Sequence, residues 1–200
     1  MKIDVITVFP EMFRGFFGES ILKRAVALGA ASIRTVDLRD FATDRRRTVD
    51  DKPYSGGPGM LMKPDVWFQA IEACRGEGTV PMRVVMTTPS GRPYTQRIAE
   101  DFAQAEHLVI LCGHYEGIDE RINDLIEPEE VSMGDFILTG GEIAAVAMID
   151  SISRLCPGVL GNDDSSVSES FSENLTVNAS LKKPDSGKSL KTCLATGHSA

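Results

Sequence analysis

Cysteine is scarce in this chain and follows no metal-binding or redox pattern. The 200 residues contain 4 cysteines, and no two of them form a Cys-x-x-Cys pair. This spacing supports neither a zinc site nor a thioredoxin-type site. We therefore expect reduced thiols, some of them buried, and no metal ligands among them.

Long apolar runs are absent as well. The longest, residues 143–149, has seven residues, whereas a membrane span needs about 18 or more. The first residues lack the apolar stretch and small-residue cleavage site of a secretory signal. The sequence therefore predicts a cytoplasmic protein that does not associate with a membrane.

An excess of positive charge is also missing, since the formal net charge is -8. A protein that simply coats nucleic acid relies on many Lys and Arg residues, so this class is disfavoured. A local basic patch stays possible at Arg45, Arg46 and Arg47. A solvated charged loop is the simpler interpretation of that triplet.

Apolar periodicity in the body of the chain predicts strands that alternate with helices. This order predicts an α/β domain with a mostly parallel sheet covered by helices on both faces. Residues 40–58 have no apolar period and are expected to form a long loop. The strand-like segments are residues 3–8, 32–36, 83–87 and 107–112. The helical ones are 11–28, as one broken helix or two short ones, 65–74, 94–104 and 141–154.

The last of these helices is apolar nearly all round, which is typical of a helix buried in the core or in a subunit interface. We therefore expect a homodimer. Beyond residue 161 the composition becomes polar. We divide the chain into a catalytic domain (1–161), a flexible linker (162–175) and a polar tail (176–200).

Two glycine-studded turns carry the functional signal: residues 112–121 (CGHYEGIDER) and 132–142 (SMGDFILTGGE). Glycine allows a backbone to approach a ligand closely, and the first turn follows a predicted buried strand, where α/β domains usually bind ligands. Alternatively, Gly117 merely opens a helix whose acidic first turn favours the helix dipole. His114 is expected to be an exposed or satisfied histidine rather than a catalyst.

A third glycine-rich segment, residues 55–60 (SGGPGM), matches neither a phosphate-binding Walker loop nor a dinucleotide fingerprint. Its backbone amides either embrace a phosphate or a nucleobase or form a plain turn. A generic nucleotide-binding module is disfavoured, because it requires one of the missing motifs.

The motifs together resemble those of the bacterial tRNA (guanine-N1)-methyltransferases, which modify the guanosine at tRNA position 37. The resemblance extends from Met1 to about Leu175. It rests on residues 9–13 (FPEMF), 49–60 (VDDKPYSGGPGM), 112–121, 132–142 and 149–161 (IDSISRLCPGVLG), which occur in this order.

This resemblance implies a SPOUT-type fold with a C-terminal trefoil knot, S-adenosylmethionine as cofactor, tRNA as substrate, and sites formed across a homodimer. The implied cofactor-binding residues are Thr88, Pro89, Gly113, Tyr115, Glu116, Gly117, Ser132, Met133, Gly134, Asp135, Phe136, Ile137, Leu138, Gly140 and Gly141. The implied substrate-binding residues are Asp50, Ser55, Gly56, Gly57, Pro58, Gly59 and Met60.

Methylation of guanine N1 requires a base near N1 and a cation near O6, where negative charge gathers. The resemblance assigns the cation to Arg154, which would otherwise be a cation that favours a helix C-terminus. It assigns the base to Glu169, where the family has an aspartate that is one methylene shorter. No metal ligand is assigned, and a role for magnesium is left open.

The resemblance ends after Leu175, where family members continue into a helical domain that helps to hold tRNA. We therefore expect this chain to bind S-adenosylmethionine but to bind tRNA poorly. The alternative to an active enzyme is a catalytically impaired dimer that still binds the cofactor.

Overall fold

The computed structural model describes residues 1–53, 56, 58–76, 78 and 80–160. The chain divides into two units, and every described residue lies in the first, Met1–Ser166. The predicted linker, the predicted polar tail and Glu169 therefore lie outside the described residues.

A parallel β-sheet forms the centre of the described fold. The strands are β1 (Lys2–Thr7), β2 (Ser32–Asp37), β3 (Asp50–Asp51), β4 (Leu61–Met62), β5 (Met82–Pro93), β6 (His107–Cys112) and β7 (Glu129–Ser132). The sheet has the spatial order β2-β1-β6-β5-β7, and every neighbouring pair is parallel. Strands β3 and β4 form a separate antiparallel pair. The predicted α/β class with a mostly parallel sheet is confirmed.

Helices connect these strands. They are α1 (Arg14–Phe17), α2 (Ser20–Ala27), α3 (Pro64–Arg75), α4 (Gln96–Ala103), α5 (Arg121–Ile126) and α6 (Glu142–Ser153), with short 3₁₀ helices at Pro10–Phe13 and Leu38–Phe41. Proline begins α3, where its missing N–H leaves no hydrogen bond unmade. No helix within the described ranges is long and apolar enough to cross a membrane.

Side chains alternate along the strands and build an apolar layer on each face of the sheet. In β6, Leu108 belongs to the layer that includes Met148 of α6, and Val109 belongs to the layer that includes Trp67 of α3. Every residue of β6 is buried. Burial on both faces explains why this strand is an unbroken apolar run after His107.

Strand β7 was not predicted, and helix α5 was anticipated only in the alternative in which Gly117 opens a helix. Helix α5 is short, and β7 carries Glu129 and Glu130 in only four residues. Two charged residues in so short a strand leave no apolar alternation to detect. Their charges are tolerated because Glu129 accepts hydrogen bonds from Arg83 and Glu130 accepts one from Asn123. Polar partners replace the apolar contacts that periodicity detects.

The predicted loop over residues 40–58 contains local order that the missing apolar period did not indicate. The Asp44 carboxylate accepts hydrogen bonds from the backbone N–H and from the hydroxyl of Thr48, each at 2.8 Å. These bonds lower the pKa of Asp44. Arg47 is ion-paired with Asp37 and Asp40. Side-chain bonds to the backbone organise such segments without any apolar core.

Candidate active site

A cavity of about 460 Å³ opens at the carboxyl ends of β5, β6 and β7. Its volume lies within the range of small-molecule sites, and its position is the usual ligand site of parallel α/β sheets. Three chain segments form its walls: residues 113–117 after β6, residues 132–141 after β7, and residues 88–90 within β5.

The first wall leaves β6 at Cys112 and turns at once. Tyr115 has a φ of 59° and Gly117 a φ of 115°. A positive φ is unfavourable for a tyrosine, and such strain is concentrated at functional sites. The predicted cofactor-binding residues of this wall, Gly113, Tyr115, Glu116 and Gly117, all line the cavity.

The second wall is the segment between β7 and α6. Its predicted residues Ser132, Met133, Phe136, Ile137, Leu138, Gly140 and Gly141 line the cavity. Gly134 and Asp135 are not among the lining residues. Gly134 has a φ of 139°, and a Cβ there would lie 3.0 Å from the Phe136 ring, so this glycine shapes the turn, while Asp135 is exposed.

The first two walls are joined through their backbones. His114 and Gly140 form an isolated β-bridge, and the Gly141 N–H donates a hydrogen bond to the Gly113 carbonyl at 2.9 Å. A Cβ at Gly141 would collide with Thr87 Oγ1 and would lie 2.8 Å from the Cys112 Cα. Only glycine permits this close approach, so the joint depends on Gly141.

The third wall is an excursion of β5. Val131 of β7 pairs with both Thr87 and Arg92, so the four intervening residues leave the ladder. Thr88 and Pro89, both predicted to bind the cofactor, line the cavity from this excursion, together with Ser90. The sequence had predicted that β5 ends at Thr87, because the excursion interrupts its apolar pattern.

The cavity is acidic. Glu116, Glu120 and Glu130 line it, and its lining, as far as the structure describes it, includes no Lys or Arg. Asn123 also lines it; its Nδ2 donates to Glu130 Oε1 at 3.1 Å, while its buried Oδ1 has no hydrogen-bond partner. A buried acceptor without a partner is costly, so a ligand with a donor group would be favoured here.

Asp119 has a structural role beside the cavity. Its carboxylate accepts hydrogen bonds from the Arg121 backbone N–H at 3.0 Å and from the Arg121 guanidinium. The bond from the Arg121 side chain is the main reason why the pKa of Asp119 is lowered. The interpretation of this acidic turn as a favourable helix start therefore holds for Asp119.

The predicted substrate-binding loop reaches the cavity through Glu116. The Glu116 N–H donates to the Met60 carbonyl at 3.1 Å, and a Cβ at Gly59 would collide with the Glu116 side chain. Asp50 of β3 pairs with Met62 of β4, which follows the loop. Gly56 and Pro58 are exposed, whereas Ser55 and Gly57 lie outside the described residues.

The predicted catalytic residue Arg154 is not brought to this cavity within one chain. It follows the last residue of α6, while Ala144 in the first turn of α6 lines the cavity. Ten residues of α-helix separate their backbones by about 15 Å. An arginine side chain is too short to span that distance.

Several lining residues were missed from the sequence. His114 was expected to be exposed or satisfied, but its buried Nδ1 has no hydrogen-bond partner. Glu120 and Asn123 are three residues apart at the start of α5, a spacing that places both on one helix face. The other lining residues were not assigned to the site from the sequence, and of these only Glu130 and Val131 belong to the unpredicted strand β7: Met86, Thr87, Ser90, Ile118, Glu130, Val131, Thr139 and Ala144.

Fold and site together define a parallel α/β protein with an acidic, glycine-walled small-molecule cavity at the carboxyl ends of its strands. Residues 1–199 match the family model described as tRNA (Guanine-1)-methyltransferase TrmD. The chain belongs to this family. The match extends beyond Leu175, where the motif resemblance ends.

Individual relatives agree with the family match. The chain is 46% identical to the tRNA (guanine-N(1)-)-methyltransferase of Shouchella clausii (strain KSM-K16), over 100% of this chain and 82% of that protein. It is 47% identical to the protein of the same name from Pelotomaculum thermopropionicum (strain DSM 13744 / JCM 10971 / SI), over 99% of this chain and 80% of that one.

A solved structure shares the fold. The crystal structure of tRNA (m1G37) methyltransferase from Aquifex aeolicus superposes with a TM-score of 0.73 at 37% identity. The superposition covers 81% of this chain and 72% of that chain. The mostly parallel α/β fold is therefore that of a tRNA methyltransferase.

Proposed function

We propose that this protein transfers a methyl group from S-adenosylmethionine to N1 of the guanosine at position 37 of tRNA. The observation that carries the proposal is the cavity between the two glycine-rich walls, in a chain that belongs to a tRNA (guanine-1)-methyltransferase family. The comparisons do not favour the alternative of an impaired dimer.

The described residues fit the cofactor. Glycine at position 141 leaves room for close backbone approach, and the unpartnered Asn123 Oδ1 offers an acceptor to a ligand donor. The carboxylates of Glu116, Glu120 and Glu130 suit a ligand that carries a sulfonium and an ammonium group. When bound, S-adenosylmethionine supplies an activated methyl group and its own leaving group.

The proposed cofactor contacts are the predicted residues that line the cavity, in all three walls. Gly134 and Asp135 are assigned to the turn that shapes the second wall rather than to the contacts. The backbone bridge between His114 and Gly140 and the packing of Gly141 against Cys112 support a trefoil knot, since they press the segment before α6 against the segment after β6.

On the guanine side, the chemistry needs a proton acceptor and a fixed cation. We assign the acceptor to Glu169, which takes the N1 proton, and the cation to Arg154, which stabilises charge that develops on O6. Asp50 and residues 55–60 are assigned to the substrate, because Met60 and Gly59 contact Glu116 at the cavity.

A homodimer completes this site. Arg154 lies about 15 Å along α6 from the cavity of its own chain, so we assign it to the cavity of the partner subunit. Exposed apolar side chains in the segment after β1 and in the first turn of α6 support such an interface: Phe9, Met12, Phe16 and Ile143 are 39%, 45%, 48% and 50% exposed. Patches of this kind mark interaction surfaces.

Methyl transfer to two tRNA transcripts that differ only at position 37 tests the function. We expect labelled methyl to enter tRNA with guanosine at this position and not tRNA with adenosine there. Equal transfer to both, or transfer to neither, would contradict the assignment. In single-turnover reactions Glu169→Gln should be slowed strongly, whereas Glu100→Gln on the exposed face of α4 should keep the original rate.

A further inference from the structure

A buried carboxylate behind the cavity joins three parts of the fold. Glu142, the first residue of α6, is 3% exposed. Its Oε1 accepts a hydrogen bond from the Thr7 hydroxyl at 2.8 Å, and Thr7, the last residue of β1, is fully buried. The Thr7 hydroxyl oxygen in turn accepts a hydrogen bond from the Phe9 N–H at 2.9 Å.

The second carboxylate oxygen faces a histidine. Glu142 Oε2 lies 3.8 Å from His114 Nδ1, which is buried and has no hydrogen-bond partner. A hydrogen bond between nitrogen and oxygen requires about 2.7–3.2 Å. A carboxylate and an imidazole nitrogen that are both buried thus stand less than 1 Å short of a charge-assisted hydrogen bond.

Gly140 keeps the space between them open. A Cβ at this position would collide with both Glu142 Oε2 and His114 Nδ1. The same glycine forms the backbone bridge to His114, and both residues line the cavity. Because position 140 has no side chain, the second wall can run beside His114 and Glu142 while the imidazole and the carboxylate still face each other.

The ring of His114 has few other polar neighbours. It contacts the rings of Phe9 and Tyr115 at centroid distances of 5.0 and 5.3 Å, and its backbone N–H donates to the Met62 sulfur. None of these groups is charged at neutral pH. Among the described contacts of the His114 ring, the charged group is the Glu142 carboxylate.

We propose that Thr7, Glu142 and His114 form a positioning relay for the methyl-transfer site, in which the Glu142 carboxylate holds a protonated His114 and thereby fixes the first wall of the cavity. This inference rests on the proposed cofactor site. Thr7 orients the carboxylate, the carboxylate orients the imidazolium, and the histidine backbone holds Gly140. The three residues act through the walls and transfer no group themselves.

The relay predicts a dependence on the charge at position 114. An imidazole takes up a proton as the pH falls from about 8 to about 5, whereas a guanidinium stays charged throughout. Because charged hydrogen bonds are worth an order of magnitude in a binding constant, we expect the Kd for S-adenosylmethionine to be about tenfold lower at pH 6 than at pH 8.

Calorimetry on the full chain at pH 6 and pH 8 tests this. His114→Arg should bind S-adenosylmethionine at both pH values about as tightly as the unmodified protein does at pH 6. His114→Ala and Glu142→Gln should bind about tenfold more weakly than that and keep only the small pH dependence that titration of the ligand's own ammonium group causes. Glu100→Gln, a matched change of an exposed glutamate, should keep the original affinity and pH profile.

The outcomes separate the relay from the function on which it rests. If the unmodified protein binds S-adenosylmethionine but His114→Ala keeps its affinity and pH profile, the relay is overturned and the cofactor site stands. If the unmodified protein binds none, both are overturned. Since Glu142→Gln can impair folding, the pair His114→Arg and His114→Ala decides the matter alone.

Discussion

Gly141 packs against Thr87 so closely that no side chain fits between them, because a Cβ on Gly141 would collide with Thr87 Oγ1. Rotation of the Thr87 side chain away from Gly141 would break the hydrogen bond that its hydroxyl donates to the Leu111 carbonyl at 3.1 Å. The joint between Thr87 of β5 and the segment before α6 therefore requires a residue without a side chain at position 141.

The first prediction follows from this joint. Gly141→Ala should destabilise the fold by about 1 to 3 kcal/mol through overpacking and should weaken binding of S-adenosylmethionine. Gly15→Ala in α1 is the control, because a Cβ there meets no atom within 4 Å. Thermal unfolding and calorimetry measure the two effects, and equal behaviour of both variants would show that the joint tolerates a side chain.

The second prediction concerns the partner subunit. Arg154→Ala and Gly141→Ala should each be nearly inactive. If Arg154 serves the cavity of the other subunit, a mixture refolded in equal amounts should regain about a quarter of the original activity, because half of the dimers then hold one intact site. Activity no greater than that of the separate variants would place Arg154 in the site of its own chain.

The third prediction concerns a polar cluster at the opposite end of β1. Burial alone would raise the pKa of Asp4, but hydrogen bonds from Arg34, Lys2 and His107 outweigh it, so the pKa is lowered. A carboxyl group of this kind stabilises the fold above its unfolded pKa of about 3.9. That contribution is lost as the pH falls through the lower pKa of the folded state.

Asp4→Asn should therefore lower the free energy of unfolding by about 1 to 3 kcal/mol at pH 7. The difference from the unmodified protein should narrow as the pH falls below about 4. Urea unfolding at pH 7 and pH 3 measures it. Asp124→Asn on the exposed face of α5 is the control, and a difference that is the same at both pH values would refute the assignment.

The fourth prediction concerns thiol reactivity. Burial raises the pKa of the Cys74 thiol to about 11, and burial together with the charge of Glu142 raises the pKa of Cys112 well above its ordinary value. The thiolate is the reactive form, so alkylation of both should be slow up to pH 9 in the folded protein and fast in urea. Mass spectrometry at each site checks this, and rapid labelling of folded protein would contradict it.

The sequence alone predicted those strands and helices whose buried apolar residues form a regular pattern. Strand β6 was predicted with its observed bounds because burial on both faces leaves an unbroken apolar run. Strand β7 was missed because ion pairs and hydrogen bonds, rather than apolar contacts, hold Glu129 and Glu130. Pairing of this kind follows no fixed spacing, since Arg83 and Glu129 are 46 residues apart whereas Asn123 and Glu130 are 7 apart, so it produces no periodic pattern in the sequence.

The cavity shows the same division. The two glycine-rich walls were recognised from their motifs, and most of their predicted residues line the cavity. Gly134 was predicted to bind the cofactor but does not line the cavity, and a glycine that makes a turn cannot be distinguished in a sequence from a glycine that makes room for a ligand. The face-to-face arrangement of His114 and Glu142 was missed, because only the folded chain brings these positions together.

The double pairing of Val131 with Thr87 and Arg92 has a consequence for ligand recognition. A four-residue excursion that is anchored at both ends has little freedom left to lose. Arg92 adds a further anchor through its ion pair with Glu129 at 2.7 Å. Thr88 and Pro89 thus lose their conformational entropy when the protein folds, and ligand binding does not have to order them. Such preorganisation lets a modest number of contacts yield tight and selective binding.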